Sequence, residues 1–340
     1  MKTVLVTGIS GFVGGHVALA ALQAGHRVRG SLRSMSRADT VRAELADAGA
    51  DTDGLQIVAL DLMKDDGWAE AMDGVDVLHH VASPFVIAMP ENPDDLIRPA
   101  VEGTERALAA ALAAGVGRIV VTSSFAAVGF GHPSVRTEPF SENDWTNLDS
   151  AIRVTAYVRS KTLAERRAWE MMARAGRETD LVTVNPVNIY GPLLGADIGT
   201  SGLLVRRLFN GSVPAMPRLI FPSVDVRDVA ALHMAAMDIP AAGGQRILAS
   251  AGPLGLPDMA RLLRKTFPET SRRVPRIVMP DWMARIYALF DKELRDNAEF
   301  IGMKTRVNAG RAQILLGRPL IGAEQAFLSM ARTMIERGLI

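Results

Sequence analysis

The stretch Val4-Leu5-Val6-Thr7-Gly8-Ile9-Ser10-Gly11-Phe12-Val13-Gly14 runs from an apolar strand, through three glycines spaced three apart, into the start of a helix. Each glycine has a separate physical reason. Gly8 permits a tight turn, Gly11 lets the backbone approach a pyrophosphate, and Gly14 lets the helix lie close on the strand. The helix start then offers unpaired N–H groups and the positive end of the helix dipole to phosphates. A ligand-free glycine turn is the bland alternative. Strand, turn and helix in that order argue against it, so Thr7, Gly8, Ser10, Gly11, Phe12, Val13 and Gly14 become candidate dinucleotide contacts. The apolar stretch after Lys2 resembles a secretory leader in composition, but glycines, Ser10 and His16 break it where a leader is continuous. It is expected to be folded structure.

Working outward, short apolar runs alternate with longer amphipathic ones. Strands are predicted at 3–6, 28–32, 56–60, 75–79, 118–121 and 181–185. Helices are predicted at 13–24, 37–48, 93–114 and 155–175. This alternation predicts βαβ units around a parallel sheet with right-handed crossovers. Beyond Pro186 the texture changes. Pro192, Pro214, Pro217, Pro222 and Pro240 interrupt it, and helices are expected at 202–209, 226–237, 258–266, 281–289 and 323–337. The predicted organisation is a dinucleotide-binding domain over 1–186 and a smaller, mostly helical substrate lobe over 187–340. A strand or helix near 223–240 is expected to return to the first sheet.

Composition narrows the class. A net charge of +1 supplies no field for nucleic acid. The absence of cysteine excludes disulfides and thiolate chemistry, in keeping with a cytoplasmic location. No apolar run reaches the roughly 18 residues of a membrane span.

The charge after the second strand selects the cofactor. A carboxylate there serves the ribose hydroxyls of NAD. Here the strand ends Ser31-Leu32-Arg33, and Arg37 follows. Two guanidiniums suit a 2′-phosphate, so NADP(H) is expected. Asp61 and Leu62, after the third strand, are expected beside the adenine.

Tyr157 and Lys161 stand four apart at the start of a predicted helix, on one face and about 5–6 Å apart at Cβ. A neighbouring ammonium is expected to lower the phenol's pKa from its usual value near 10. Ser124, at the end of a strand, is placed to hold a carbonyl oxygen while Tyr157 delivers the proton. Tyrosine and lysine at that spacing are as often an ordinary amphipathic face. The glycine turn, the strand-end serine and the βαβ frame, taken together, favour chemistry.

Taken together these motifs resemble the extended short-chain dehydrogenase/reductases. They include the T-G-x-x-G-F-V-G-G-H start, Val81-Ala-Ser-Pro84, Thr122-Ser-Ser124 and Tyr157-x-x-Ser-Lys161. Asn185-Pro-Val-Asn-Ile-Tyr-Gly-Pro192 and Val224-Asp-Val-Arg-Asp-Val-Ala230 follow in family order. The match covers nearly the whole chain and is closest to the dihydroflavonol, cinnamoyl-CoA and aldehyde (methylglyoxal) reductase branch. The resemblance implies an α/β Rossmann-type doubly wound sheet and reduction of a small-molecule aldehyde or ketone. It implies Ser124, rather than Ser123, as the catalytic serine. It also implies cofactor contacts at Val81, Ala82, Ser83, Thr122, Pro186, Val187, Ile189 and Ser201. Plant flavonoid reductases carry Asn or Asp where this chain has Gly129, which points to simpler carbonyls. Arg106 stands where the family often has Asn.

Phe85, Phe125, Tyr190 and Phe221 are candidate substrate-pocket residues, as are Val128 and Met216, each in competition with plain core packing. His79 and His80 point to opposite faces of a strand and cannot share a metal ion. Asp225, Arg227 and Asp228 are expected as a charged junction between the lobes. Helices near 95–114 and 155–175 suit a four-helix interface as in many relatives, so a monomer or homodimer is expected. Rival readings are a sugar-nucleotide epimerase/dehydratase with retained NAD, a 3β-hydroxysteroid-type dehydrogenase, and a non-enzymatic redox sensor. The Arg33/Arg37 turn argues against the first, and the intact Tyr157/Lys161 pair against the last.

Overall fold

In the computed structural model, residues 1–83, 92–133, 136–152, 154–212, 215–291, 294–295, 298–303 and 305–340 are described. Strands β1 (Thr3–Val6), β2 (Arg27–Leu32), β3 (Leu55–Ala59), β4 (Val77–His80), β5 (Arg118–Thr122), β6 (Leu181–Pro186) and β9 (Gln245–Ala249) form one parallel sheet. Its order is β3-β2-β1-β4-β5-β6-β9, which reverses direction at β1. Ligands of doubly wound sheets bind outside the carboxyl ends of the strands at such a point.

Both faces of the sheet are covered, which is why its strands read as nearly continuous apolar runs. Val4 and Val6 point to one side, against α1 (Phe12–Gln23), α2 (Ala38–Asp47) and α7 (Val226–Asp238). Leu5, Leu78 and Ile119 point to the other, against α3 (Trp68–Met72), α4 (Asp94–Ala113) and α5 (Ala156–Arg174). The alternation is the period of two of a strand.

Strand β9 is not legible in the sequence. It pairs in parallel with β6 through the crossover helix α7, and Ile247, Leu248 and Ala249 are fully buried. Residues 226–249 thus return to the first sheet, a longer return than the 223–240 expected. The helix α10 (Gly310–Leu316) joins α7 and β9 on the same face.

The second lobe has its own small sheet, of β7 (Asn188–Tyr190), β8 (Ile220–Asp225) and β10 (Pro253–Gly255). Around it lie α6 (Gly199–Asn210), α8 (Leu256–Thr266) and α11 (Ala323–Glu336). Asp225, Arg227 and Asp228 are each paired. Asp225 caps α7 and pairs with Arg227 at 2.8 Å. Asp228 pairs with Arg318 at 2.7 Å and accepts from the Ile321 amide at 2.6 Å. Among the described residues no helix is long and apolar enough to cross a membrane.

Candidate active site

The glycine turn sits at the carboxyl end of β1. Gly8 has φ +71°, and a Cβ there would stand 3.0 Å from the Ala82 backbone. A Cβ on Gly14 would stand 2.9 Å from the carbonyl carbon of Gly8 and closer still to its oxygen. Gly11 differs: its φ is −86°, and a Cβ would meet nothing nearer than Gly8 O at 3.4 Å. The space over Gly11 is therefore left open by the protein itself. The first turn of α1 carries no acidic residue of its own, and the Asp197 carboxylate would stand 3.9 Å from a Gly11 Cβ.

Thr7 does not line this space with its side chain. Its hydroxyl is buried, accepts from the Val81 and Ala82 amides at 3.0 Å each, and meets His80 Nδ1 at 3.1 Å. It ties the ends of β1 and β4 together. Phe12 packs edge-on against His16, with ring centroids 5.6 Å apart. Ser10 lines a cavity of about 20 Å³ beside the turn, together with Glu44 and Asp197.

Arg33 follows β2 directly, and Arg37 closes a short helical turn after it. Both are exposed, and neither makes an ion pair among the described residues. Asp61 follows β3 and accepts from the Met63 amide at 2.9 Å. Leu62 packs on Gly103, where a Cβ would stand 3.0 Å from its own. Arg106 bonds the Leu62 carbonyl at 3.1 Å and pairs with Asp65 at 2.6 Å. The arginine thus pins this loop to α4.

At the carboxyl ends of β5 and β6 the second set converges. The Ser124 side chain caps a short turn by accepting from the Ala126 amide at 3.0 Å, and it lies beside Tyr157. Ser123 faces the other way and donates to buried Glu165 at 2.5 Å. That orientation separates the two serines of the T-S-S segment. Thr155 caps α5 by accepting from the Val158 amide, which starts the helix just before Tyr157. Tyr157 is 38% exposed as a residue. Loss of water pushes that phenol above its usual value, and the Ser124 hydrogen bond pulls it partly back. The lowering expected from Lys161 is not seen; what opposes burial is Ser124. Burial also brings the Lys161 ammonium down to about 8, opposed by Glu165.

Thr122 has its hydroxyl 2.9 Å from His233 Nε2. His233 in turn meets His79 at 3.2 Å, whereas His80 turns to Thr7. The two adjacent histidines thus serve opposite faces of the sheet. Pro186, at the end of β6, and Val187 are buried, and Ile189 and Ser201 are half-buried.

The substrate-side expectations are partly overturned. Tyr190 is 1% exposed and stacks edge-on against Phe327, 5.6 Å between centroids. It is core of the second lobe rather than pocket wall, because β7 turns it inward. Met216 and Val128 are buried likewise. Phe125 is nearly buried, 5.5 Å from the Phe140 ring, and its ring fills the space where a Gly129 Cβ would go. Phe221 remains partly exposed. Phe85 and Pro84 lie outside the described residues.

Sequence reasoning missed the groups beneath this site. Glu165, one turn beyond Lys161 on α5, accepts from Thr183 at 3.0 Å, Asn185 at 2.6 Å and Arg246 at 2.7 Å. The Lys161 to Glu165 spacing was available as a signal. Arg246, 81 residues further on, was not.

Three comparisons bear on this arrangement. The model of the NAD-dependent epimerase/dehydratase family matches residues 4–249. A Schizosaccharomyces pombe protein described as an uncharacterised oxidoreductase is 38% identical, over 79% of this chain and 84% of its own. Cinnamoyl-CoA reductase 2 of Arabidopsis thaliana is 34% identical, over 79% and 78%. The crystal structure of yeast methylglyoxal/isovaleraldehyde reductase complexed with NADPH superposes with a TM-score of 0.81. It is 25% identical and covers 99% of this chain and 100% of that one.

Proposed function

This chain belongs to the NAD-dependent epimerase/dehydratase family, and from that premise we propose that it is an NADPH-dependent reductase of aldehydes or ketones. The observation that carries the proposal is the placing of Tyr157 beside Ser124, with Lys161 one turn along the same helix. It lies at the same end of the parallel sheet as the glycine turn.

The fit to a dinucleotide rests on the space over Gly11, the start of α1 and the exposed Arg33 and Arg37, which make no ion pair among the described residues. Gly8, Gly11 and Gly14 would seat the pyrophosphate. Arg33 and Arg37 would hold the 2′-phosphate, and Asp61 the adenine amino group. Pro186, Val187, Ile189 and Ser201 would border the nicotinamide. Bound there, NADPH supplies a hydride to the carbonyl carbon.

The protein's own groups do the rest. The hydroxyls of Ser124 and Tyr157 hydrogen-bond the carbonyl oxygen. As negative charge grows on that oxygen, the phenolic O–H breaks and its proton completes the alcohol. The phenolate left on Tyr157 is stabilised by the Lys161 ammonium until solvent returns a proton.

Small aldehydes and an aryl thioester both figure in the names of the relatives, which supports a carbonyl substrate without choosing one. Consumption of NADPH across aldehydes, diketones, ketoesters and flavanones is the direct screen. On any active substrate, Tyr157→Phe should lower kcat about 10²- to 10⁴-fold while leaving NADPH binding intact. Undiminished turnover would remove Tyr157 from the mechanism.

A further inference from the structure

We infer that Glu165 and Arg246 form a positioning pair for the reacting hydroxyls, fixing the strand ends that carry Ser124 and setting a negative charge one turn behind Lys161. The assignment rests on Ser124, Tyr157 and Lys161 being the reacting set.

Glu165 has no exposed side-chain area, and Arg246 has 9%. A buried pair of this kind gives little net stability, since desolvation of two ions offsets their attraction. Its connections are more informative than its energy. Glu165 takes hydrogen bonds from Ser123 at the end of β5 and from Thr183 and Asn185 on β6. The same Asn185 amide donates to the Ser124 carbonyl at 3.2 Å. One carboxylate therefore fixes the backbone on both sides of the Ser124 hydroxyl. Its own helix bears Tyr157 and Lys161 at positions eight and four residues earlier, all on one face.

Arg246 extends the frame outward. It donates to the Ala127, Glu142 and Asp144 carbonyls at 3.3, 2.9 and 2.5 Å. Its guanidinium lies 3.8 Å over the Trp145 ring. The loop that follows Ser124 is thus referenced to the same carboxylate as the serine.

Lys161 lines a small cavity with His80 from β4, Thr104 from α4 and Glu165 from its own helix. Burial holds His80 neutral, down to about 4. Glu165 therefore supplies the negative charge that keeps the ammonium protonated.

The test compares Glu165→Gln, Arg246→Met and the double variant with wild type, with Tyr157→Phe as control. The readouts are kcat and KM from pH 6 to 10, NADPH binding by fluorescence, and melting temperature. Glu165→Gln keeps the shape and removes the charge. Its kcat should fall tenfold or more, with NADPH affinity nearly unchanged. The alkaline limb should move to lower pH, since removing an opposite charge favours the neutral amine. Either single change leaves a buried ion unpaired and lowers the melting temperature. The double variant should recover the melting temperature but neither kcat nor the alkaline limb. Recovery of all three in the double variant would reduce the pair to a structural role and overturn the inference. So would wild-type kcat and pH dependence in Glu165→Gln. Turnover by Tyr157→Phe would instead overturn the reacting set itself.

Discussion

Adding one methyl group at either of two glycines in the same turn should produce opposite failures. At Gly14 the new Cβ would stand 2.9 Å from the Gly8 carbonyl carbon and 3.3 Å from Ile9 Cα. These are backbone atoms and cannot rotate away, so α1 must shift by about 1 Å or the turn must open, at the upper end of the 1–3 kcal/mol of overpacking. Unfolding entropy of about 2.1 cal/mol/K per residue gives about 0.7 kcal/mol/K for the whole chain, so Gly14→Ala should melt about 4 °C lower. At Gly11 the nearest protein atoms are 3.4 Å and 3.9 Å from the new Cβ, and the backbone is one that alanine adopts freely. Gly11→Ala should therefore melt within about 1–2 °C of wild type. Its methyl occupies the open space over the turn, so NADPH affinity should fall at least tenfold. Calorimetry and fluorescence titration of both variants decide it. Wild-type NADPH affinity in Gly11→Ala would mean that the turn seats no pyrophosphate, and an unchanged melting temperature in Gly14→Ala would refute the close packing.

Two further predictions concern charge. Arg33→Ala should raise KM for NADPH about 10- to 100-fold, the worth of a charge-assisted hydrogen bond, and that for NADH little; equal effects on the two cofactors would sink the 2′-phosphate assignment. Acid should destabilise the fold through its buried histidines, since burial brings His79 down to about 3 and His80 to about 4. Both are depressed below their unfolded value near 6.5, so the unfolded chain binds more protons and stability is lost as pH falls from about 6.5 towards those values, by up to about 1.4 kcal/mol per pH unit for each. Denaturation midpoints at pH 7 and pH 5 test this, and equal midpoints would count against it.

The gap between sequence and structure is instructive at particular residues. The turn at Gly8–Gly14, the six strands from β1 to β6 and the Tyr157–Lys161 face were all legible, because each depends on local geometry. Three glycines at fixed offsets, periods of two and 3.6, and an i, i+4 pair are properties of neighbours along the chain. Strand β9 was not legible, since its identity comes from pairing with β6 rather than from its own five residues. Tyr190 misled for the same reason: its type suits a pocket, and only the inward turn of β7 sends it to Phe327.

Burial decided the electrostatics as well. From sequence, Lys161 had to lower the Tyr157 pKa; in the folded protein, desolvation raises the phenol and weakens the ammonium. The choice of Ser124 over Ser123, implied by the resemblance, has its physical reason in which face of the chain each hydroxyl takes after β5. The pairing of Glu165 with Arg246 came from the crossover that lays β9 beside β6. What the sequence by itself determined was the set of chemical groups and the frame that presents them. What only the tertiary structure decided was which groups lose water and which distant charge meets which. Those depend on contacts between residues far apart in the chain, and no local pattern encodes them.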